Sequence, residues 1–286
     1  MKPAFALLMF SVTTPALAGW PDDVVLDGID TWRGDRVLDS DLITADYHQV
    51  IRELGTAISN KPMHGGSTLG LYGFEVGVSN TIAFIDTRSE DGQPSPWARV
   101  HEDGTPNNMM TIPRIDIRKG LPASIEVGAS MGYLAVSRQT AMGGYLRGAP
   151  LEGYRNMPDV VFQLGYTGYV GNDQLELGTL DFSGTVGYSF PFGRITGVNN
   201  ASISPYLGAG LLRVHARPNL DAEEQEALGI SEVSGFSGSD FYSEDFAFWQ
   251  VHGGFRINSG SFSFRASVSA VPKGIATLNV GMGFVY

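Results

Sequence analysis

The last ten residues of the chain, from Thr277 to Tyr286, alternate between two kinds of side chain. Large apolar side chains occupy the even positions from Leu278 onward, and threonine, asparagine or glycine occupies the odd positions as far as Gly283. A period of two places the two kinds on opposite faces of a β-strand that separates unlike media. In a soluble protein such a terminal strand would be an aggregation-prone edge, whereas a closed barrel has no edge. The pattern therefore predicts a transmembrane β-barrel, with the final aromatic residue at the lipid–water boundary.

The first residues have the pattern of a secretory signal peptide. Lys2 precedes a short apolar run, and Ala16-Leu17-Ala18 supplies an Ala-x-Ala cleavage motif. We predict that residues 1–18 are removed by cleavage near Ala18. The sequence therefore predicts an exported protein of the bacterial outer membrane.

Composition excludes several classes of protein. Charged residues make up only 17% of the chain, while there are 37 glycines and 11% aromatic residues, which suits a barrel with one apolar and one polar face. The absence of cysteine excludes disulfides and thiolate metal sites. A net charge of −11 argues against nucleic acid as a partner, because nucleic acid requires a basic surface. We expect no cofactor and no bound metal.

Alternating segments divided by turn residues continue through the rest of the chain and define the predicted fold class. We predict an all-β protein, an antiparallel transmembrane barrel of about ten strands (eight to twelve) over residues 67–286. The strands are placed at 69–86, 111–119, 124–137, 139–148, 159–170, 175–190, 201–216, 246–257, 261–271 and 277–286, with a tight return at Gly120-Leu121-Pro122. With both barrel ends in the periplasm, the two longest connections, 87–108 and 217–245, fall on the outer side, as is typical of such barrels.

Residues 19–66 differ from the barrel and are predicted to form a periplasmic or plug segment. Between Asp41 and Asn60, apolar residues recur at spacings of three and four, which predicts one amphipathic helix, expected to be periplasmic. One helix cannot bury its own apolar stripe. It must therefore pack in the barrel lumen, at the periplasmic mouth or against a partner.

Several short motifs carry a resemblance to a known group. They are Glu53-Leu54-Gly55, Lys61-Pro62, Gly70, Gly73-Phe74-Glu75-Val76-Gly77, Arg118-Lys119-Gly120-Leu121-Pro122 and Glu126-Val127-Gly128-Ala129. In these motifs the first half of the mature chain resembles a porin-like group of uncharacterised bacterial outer-membrane β-barrel proteins. The resemblance implies a fold and a location, and it supplies no catalytic residue or substrate.

Charged residues on the lumen side of the strands form the first candidate site. These are Glu75, Arg114, Asp116, Arg118, Glu126, Asp181, Arg256 and Arg265. In a narrow barrel, opposite charges would pair and close the lumen, because unpaired buried charge is very costly. The alternative is an ion-selective or small-solute pore.

The long connection before the eighth strand is acidic and forms the second candidate site. Asp221, Glu223, Glu224 and Glu226 occur there on a stretch expected to start a short helix. Such carboxylates would bind bridging divalent cations or a basic ligand. The alternative is a solvated loop.

A histidine-dependent enzymatic function would use one of the five histidines, which are His48, His64, His101, His215 and His252. None forms a His-x-Ser pair, the spacing that would place a base and a nucleophile on one face of one strand. We therefore predict no catalytic residue. Nine aromatic residues are instead interpreted as membrane-interface girdles: Trp97, Tyr133, Tyr166, Tyr169, Tyr188, Tyr206, Phe246, Trp249 and Tyr286.

The sequence favours a non-enzymatic outer-membrane barrel, either a structural or surface-exposed protein or a small-solute pore. A barrel hydrolase, acting as lipase, deacylase or protease, and an acidic-loop binding or adhesion protein are the alternatives. The expected partners are outer-membrane lipids and lipopolysaccharide, and the barrel-assembly machinery, which would bind the C-terminal strand.

Overall fold

The chain forms a closed β-barrel around a long helix. The computed structural model describes residues 24–26, 40–88, 94–101, 106–134, 137, 139–154, 157–192, 201–221, 223, 247–271 and 275–286. The predicted signal peptide lies outside these residues, as do Glu224 and Glu226 of the acidic connection. Within them no helix is both long and apolar enough to cross a membrane.

Two helices and eleven strands are defined in the described part of the chain. The helices are α1 (Ser40–Ile58) and α2 (Pro96–Arg99). The strands are β1 (Phe74–Phe84), β2 (Met109–Leu121), β3 (Ile125–Leu134), β4 (Gln139–Leu151), β5 (Asp159–Val170), β6 (Leu175–Gly187), β7 (Phe190–Phe192), β8 (Ala201–Pro218), β9 (Ala247–Ser259), β10 (Phe262–Ala270) and β11 (Ala276–Val285).

Antiparallel pairing between neighbours closes the sheet into a barrel. The first strand, β1, pairs with the last, β11, and β6 pairs directly with β8, although the short β7 lies between them in the sequence. Since β7 only continues the edge of β6 along β8, the barrel has ten strands. The predicted fold class is confirmed.

The two ends of the barrel are distinguished by their connections. At the turn end, Phe74 and Tyr286 exchange backbone hydrogen bonds of 2.9 and 2.8 Å, and short returns join β2 to β3 and β9 to β10. At the loop end lie the long connections between β1 and β2 and between β8 and β9.

The turn after β2 lies at Ala123 and Ser124, both with positive φ, so the predicted return at Gly120 is wrong. Gly120 is instead a strand residue, and its N–H donates to Gly73 O at 3.0 Å.

The outer surface of the barrel is apolar and the inner surface is polar over much of its height. On β11, Val280, Met282 and Phe284 are exposed, whereas Asn279, which points to the opposite face, is completely buried. The same alternation holds on the other strands, with Ser79, Thr167, Thr179, Ser183, Ser263 and Ser267 among the inward polar residues. A water-soluble barrel would have the opposite arrangement, so this surface suits contact with lipid.

Aromatic residues at the turn end form an exposed belt, which comprises Tyr72, Phe74, Tyr188, Phe190, Phe262, Phe284 and Tyr286. Of the nine predicted girdle residues, Tyr133, Tyr166, Tyr188, Trp249 and Tyr286 are exposed on the outside of the barrel, and their place at the membrane interface stays a prediction. The girdle prediction is wrong for Trp97, Tyr169 and Tyr206, which are buried inside the barrel. Phe246 lies outside the described residues. The three exceptions face the N-terminal segment that fills the lumen.

Replacement of Val280, in the middle of β11, tests whether the outer face contacts lipid. We expect Val280→Arg to lower the free energy of unfolding by about 2–4 kcal/mol, because a charge at mid-bilayer is costly. Reversible urea unfolding in lipid vesicles measures the change. Val280→Leu is the matched control and should unfold like the natural protein. An arginine variant as stable as the leucine variant would contradict a lipid-facing position.

Candidate functional site

The N-terminal segment passes through the lumen from the loop end to the turn end. Residues 24–26 are held at the loop end, where Leu26 N donates to Gln174 Oε1 at 2.6 Å and Val25 N donates to Val100 O at 2.9 Å. From there α1 and the residues after it lead to β1, which begins at the turn end. Every residue from 53 to 66 is buried. The predicted helix is confirmed, and of the three places expected for its apolar stripe the structure shows the barrel lumen.

The loop half of the lumen is filled by apolar packing around α1. Tyr47, Val50 and Leu54 belong to one hydrophobic cluster that includes inward residues of β1, β2, β3, β4, β5, β6, β8 and β9. The polar side of the helix also finds partners. Glu53 accepts hydrogen bonds from Trp97 Nε1 at 2.8 Å and from Asp86 N at 3.1 Å. The helix is amphipathic, yet both of its faces are satisfied inside the protein.

Asp46 and Arg99 link the start of α1 to the first long connection. Their side chains form a buried ion pair between α1 and α2. Burial raises the pKa of the Asp46 carboxyl above its usual value, and the charge of Arg99 opposes that shift. The pair therefore anchors the loop-end half of the helix to the wall of the barrel.

Gly55 sets how closely α1 approaches the wall. A Cβ atom at this position would lie 2.8 and 2.9 Å from the two Cγ atoms of Val214 on β8, and 3.4 Å from Thr179 Cγ2 on β6. These distances leave no room for a side chain. Glycine is therefore required by the close packing, although it weakens the helix itself.

The end of α1 is held by hydrogen bonds from the barrel. The last carbonyls of a helix have no partner within it, and they carry partial negative charge. Arg114 Nη2, on β2, donates to Ala57 O at 3.1 Å and to Ile58 O at 2.7 Å. Lys61 Nζ donates to Thr56 O and, at 2.9 Å, to Ser59 Oγ. One cation of the wall and one of the segment thus stabilise the same helix terminus.

Just beyond the helix, Asn60 fixes the segment to two further strands. Its Nδ2 donates to Gly144 O and to Tyr166 O, both at 3.1 Å. A neighbouring cavity beside Asp181 has a volume of only about 10 Å³, about the space of one water molecule. The middle of the lumen is therefore packed by protein at this point.

In the turn half of the lumen, Glu75 on β1 is the centre of an ion-pair network. Its carboxylate forms ion pairs with Arg118 on β2, with Arg256 on β9 at 3.2 Å and with Arg265 on β10 at 3.1 Å. Ser263 Oγ donates a further hydrogen bond at 3.0 Å. All of these charged side chains are buried.

Glu126 on β3 joins this network to the N-terminal segment. It pairs with Arg118 at 3.2 Å and with Arg147 on β4 at 3.0 Å. The same carboxylate accepts from Leu69 N at 3.0 Å, and Arg147 Nη2 donates to Gly65 O at 2.6 Å. The wall charges therefore bind the backbone of the segment as well as one another.

His64 is a third link between the segment and the network. Arg265 Nη1 lies 2.7 Å from His64 Nδ1, and Tyr145 OH lies 3.1 Å from His64 Nε2. Because the guanidinium is always a donor, Nδ1 must accept, so the imidazole proton is on Nε2. A neutral histidine thus joins β10 to β4 through the segment.

All eight predicted lumen charges lie on the inner side of the barrel wall. Asp116 Oδ2 accepts from Ser79 Oγ at 2.7 Å, and Asp181 Oδ2 accepts from Gln163 Nε2 at 3.3 Å. The functional role of the cluster stays a prediction. Sequence reasoning missed Arg147, which shares the inward parity of Tyr145, because the glycines of β4 obscured the alternation. It also missed His64, whose surroundings no periodicity reveals.

The second candidate site is only partly described. Asp221 and Glu223 are exposed at the loop end, and a cation site on this connection stays a prediction. Within the described residues no group of three or more His, Asp or Glu side chains is arranged to hold a metal ion. His252, considered for hydrolase chemistry, projects inward, and its Nε2 lies 2.9 Å from Thr185 Oγ1.

Comparisons with known proteins assign this chain to no family. No family model and no curated protein matches it. Similar solved structures include the KdgM porin, with 4% identity, coverage of 73% of this chain and 98% of that one, and a TM-score of 0.31. They also include the transport unit of the autotransporter AIDA-I from Escherichia coli, with 10% identity, coverage of 85% and 97%, and a TM-score of 0.40.

A further similar structure is the outer membrane protein Omp33 of Acinetobacter baumannii, with 10% identity, coverage of 75% and 98%, and a TM-score of 0.26. Similarity at these TM-scores assigns the chain to no family and transfers no function to it.

Glu75→Gln tests the ion-pair network. Arg118, Arg256 and Arg265 would each lose one ion pair, and breaking a buried pair typically costs about 3–5 kcal/mol. We expect a loss of this size in the free energy of unfolding, measured by urea titration in vesicles. Glu176→Gln, at an exposed position on β6, is the control and should change stability by no more than about 0.5 kcal/mol. Equal effects of the two changes would show that the network does not stabilise the barrel.

Gly55→Leu tests the seating of the helix. We expect a destabilisation of about 1–3 kcal/mol from overpacking against Val214, although leucine forms helices better than glycine. The control is Ala45→Leu, on an exposed part of the same helix. Resistance of the folded barrel to thermal unfolding in detergent compares the two. If Gly55→Leu were as stable as Ala45→Leu, the helix would not be packed against β8.

Proposed function

We propose that this protein is a non-enzymatic outer-membrane β-barrel whose lumen is closed by its own N-terminal segment. The observation that carries the proposal is the continuous burial of residues 53–66, which occupy the lumen between the walls. Buried ion pairs and backbone hydrogen bonds hold the segment in place. In this state the protein is a structural or surface barrel, and solutes pass only when the segment is displaced.

The proposed location rests on the surface of the barrel and on the signal-like N-terminus. A closed sheet with an apolar exterior and an aromatic belt suits a bilayer, since a closed barrel has no free edge strand. We propose that the loop end faces the exterior of the cell and the turn end the periplasm. In that orientation residues 24–26 lie on the outer side, because they are held at the loop end.

The hydrolase alternative receives less support. Hydrolysis by a histidine-assisted nucleophile requires a reachable Ser–His pair. His64 contacts Tyr145 and Arg265, and His252 contacts Thr185. Both histidines are buried in the lumen, and the described contacts give neither of them a serine partner.

Single-channel recording tests the proposal, with a variant in which a disulfide can fix the N-terminal segment to the barrel wall. The chain has no cysteine, so the pair Gly55→Cys and Val214→Cys would form the only disulfide. The predicted Cβ position at residue 55 lies close enough to Val214 for such a bond. We expect the refolded natural protein to be closed, and a variant without residues 19–66 to give discrete ion-selective current steps.

Arg114→Ala removes two hydrogen bonds from the end of α1 and should give intermittent openings of the same size. Adding the disulfide should abolish these openings, and a reductant should restore them. The single variant Val214→Cys, which cannot form the disulfide, is the control. Openings that persist with the disulfide intact would contradict closure by this segment. Silence of every variant would exclude the pore and leave a purely structural barrel.

A further inference from the structure

A cavity at the loop end is not filled by the N-terminal segment. It has a volume of about 310 Å³ and lies between α1 and the strands β1, β2, β3 and β5. This size falls at the lower end of the range for small-molecule sites, about 300–1,000 Å³. Its lining is mainly apolar, with Leu54, Ile85, Trp97, Met110, Leu134 and Tyr169 among the residues that contribute. A ligand that suits this lining is apolar.

The cavity reaches both faces of β2. Met110 points toward the interior, whereas Met109 and Thr111 point outward and are exposed, and all three line the cavity. A space that touches both faces of a strand must pass beside that strand. On the β1 side the ladder is complete as far as the pair Phe84 and Met109. Beside the strand the passage therefore lies on the β3 side, and at the loop end the cavity also reaches Pro106, Asn107 and Asn108, which precede β2.

The pairing between β2 and β3 stops short of the loop end. Its last pair is Arg114 with Gly132, although β3 continues to Leu134 and β2 continues to Met109. The next residue on β2 is Pro113, which has no N–H to donate, and proline is found where ladders end. Leu134 and Ser137, beside this unpaired stretch, line the same cavity. Among the described residues the wall of the barrel therefore has a stretch without ladder pairs, the gap, which borders the cavity.

The gap opens at the level of the membrane boundary. Tyr133, next to Pro113 across the gap, is exposed on the outer surface, and Ile115 and Met131 form the lipid-facing surface directly below. Tyrosine at such a position marks the interface between lipid and water. Above the gap, Asn107 and Asn108 are exposed and supply amide groups at the mouth of the cavity. An apolar chain can thus lie inside while its polar head stays at the interface.

We propose that this cavity binds the unbranched alkyl chain of an amphiphile, which enters from the membrane through the gap between β2 and β3. A slot between neighbouring strands is narrow and admits a single extended chain more readily than a fused ring. The methionines at the slot adapt to a flexible ligand, since their side chains are unbranched and polarizable. The inference rests on the proposed membrane location, and it adds a ligand class to a barrel whose lumen is otherwise closed.

Tryptophan quenching tests the proposal, because Trp97 lines the cavity while Trp249 is 65% exposed on the outer surface of β9. One variant retains only Trp97, through Trp20→Phe, Trp32→Phe and Trp249→Phe. A second variant retains only Trp249, with Trp97→Phe in place of Trp249→Phe. Both are refolded in phosphatidylcholine vesicles and titrated with dibromostearic acid. In a separate arm the vesicles are made from dibrominated phosphatidylcholine.

We expect the emission of Trp97 to fall with added dibromostearic acid and to reach saturation. Filling the cavity with Ser137→Phe, or with Met110→Phe should the first variant not fold, is expected to weaken this binding at least about tenfold, the equivalent of roughly two buried methylene groups. Met131→Phe, on the lipid-facing side of β3, is the matched control and should leave the titration unchanged. Pro113→Val, which restores a backbone donor, should slow the onset of quenching.

The two arms identify the source of the chain. Quenching of Trp97 by dibromostearic acid alone supports a free single-chain amphiphile, and quenching in both arms supports an acyl chain of the bilayer itself. Quenching of Trp249 but not of Trp97 would overturn the proposal while leaving the membrane barrel intact. Equal quenching of Trp97 in the natural cavity and in the filled variants would also overturn it. Absence of Trp249 quenching by dibrominated phosphatidylcholine would instead overturn the membrane location.

Discussion

Glu75 and Glu126 accept ion pairs from four arginines on four different strands, and the arrangement of the lumen follows from that requirement. A charged group removed from water needs an opposite charge close by, or folding becomes too costly. The two carboxylates supply that charge for Arg118, Arg147, Arg256 and Arg265 together. The network extends from β9 to β4 and crosses β11, where a Cβ atom at Gly283 would lie 2.9 Å from Glu75 Cδ. A glycine there gives the carboxylate its space.

The lumen has two halves, and the N-terminal segment changes character where they meet. In the loop half the inner wall is apolar and faces the hydrophobic side of α1. In the turn half the wall is charged, and the segment there is irregular, so its free backbone groups serve as partners. Gly65 O accepts from Arg147, and Leu69 N donates to Glu126. A helix would have kept those groups for itself. The local sequence of the segment therefore matches the chemistry of the wall around it.

The sequence alone predicted the barrel and the side on which the eight charged residues lie, because a period of two is visible in the strands that carry them. It predicted α1 from its own periodicity, but not its surroundings. The same amphipathic pattern suits a helix at a mouth, against a partner or in a lumen, and only three-dimensional packing distinguishes them. Trp97, Tyr169 and Tyr206 were assigned to the membrane interface because aromatic residues suit both an interface and a packed interior. Arg147 and His64 lay in stretches without clear alternation, and their partners are distant in sequence.

The path of the N-terminal segment also constrains how the molecule is assembled. The wall closes only when β1 pairs with β11, so closure waits for the last residues of the chain. A segment that crosses the whole lumen, with one end held at each mouth, is not easily threaded into a ring that has already formed. The strands must therefore assemble around the segment, which serves as the core on which the barrel forms. Contacts of such long range in sequence are slow to form, and a core already in place gives the arriving strands a surface on which to register.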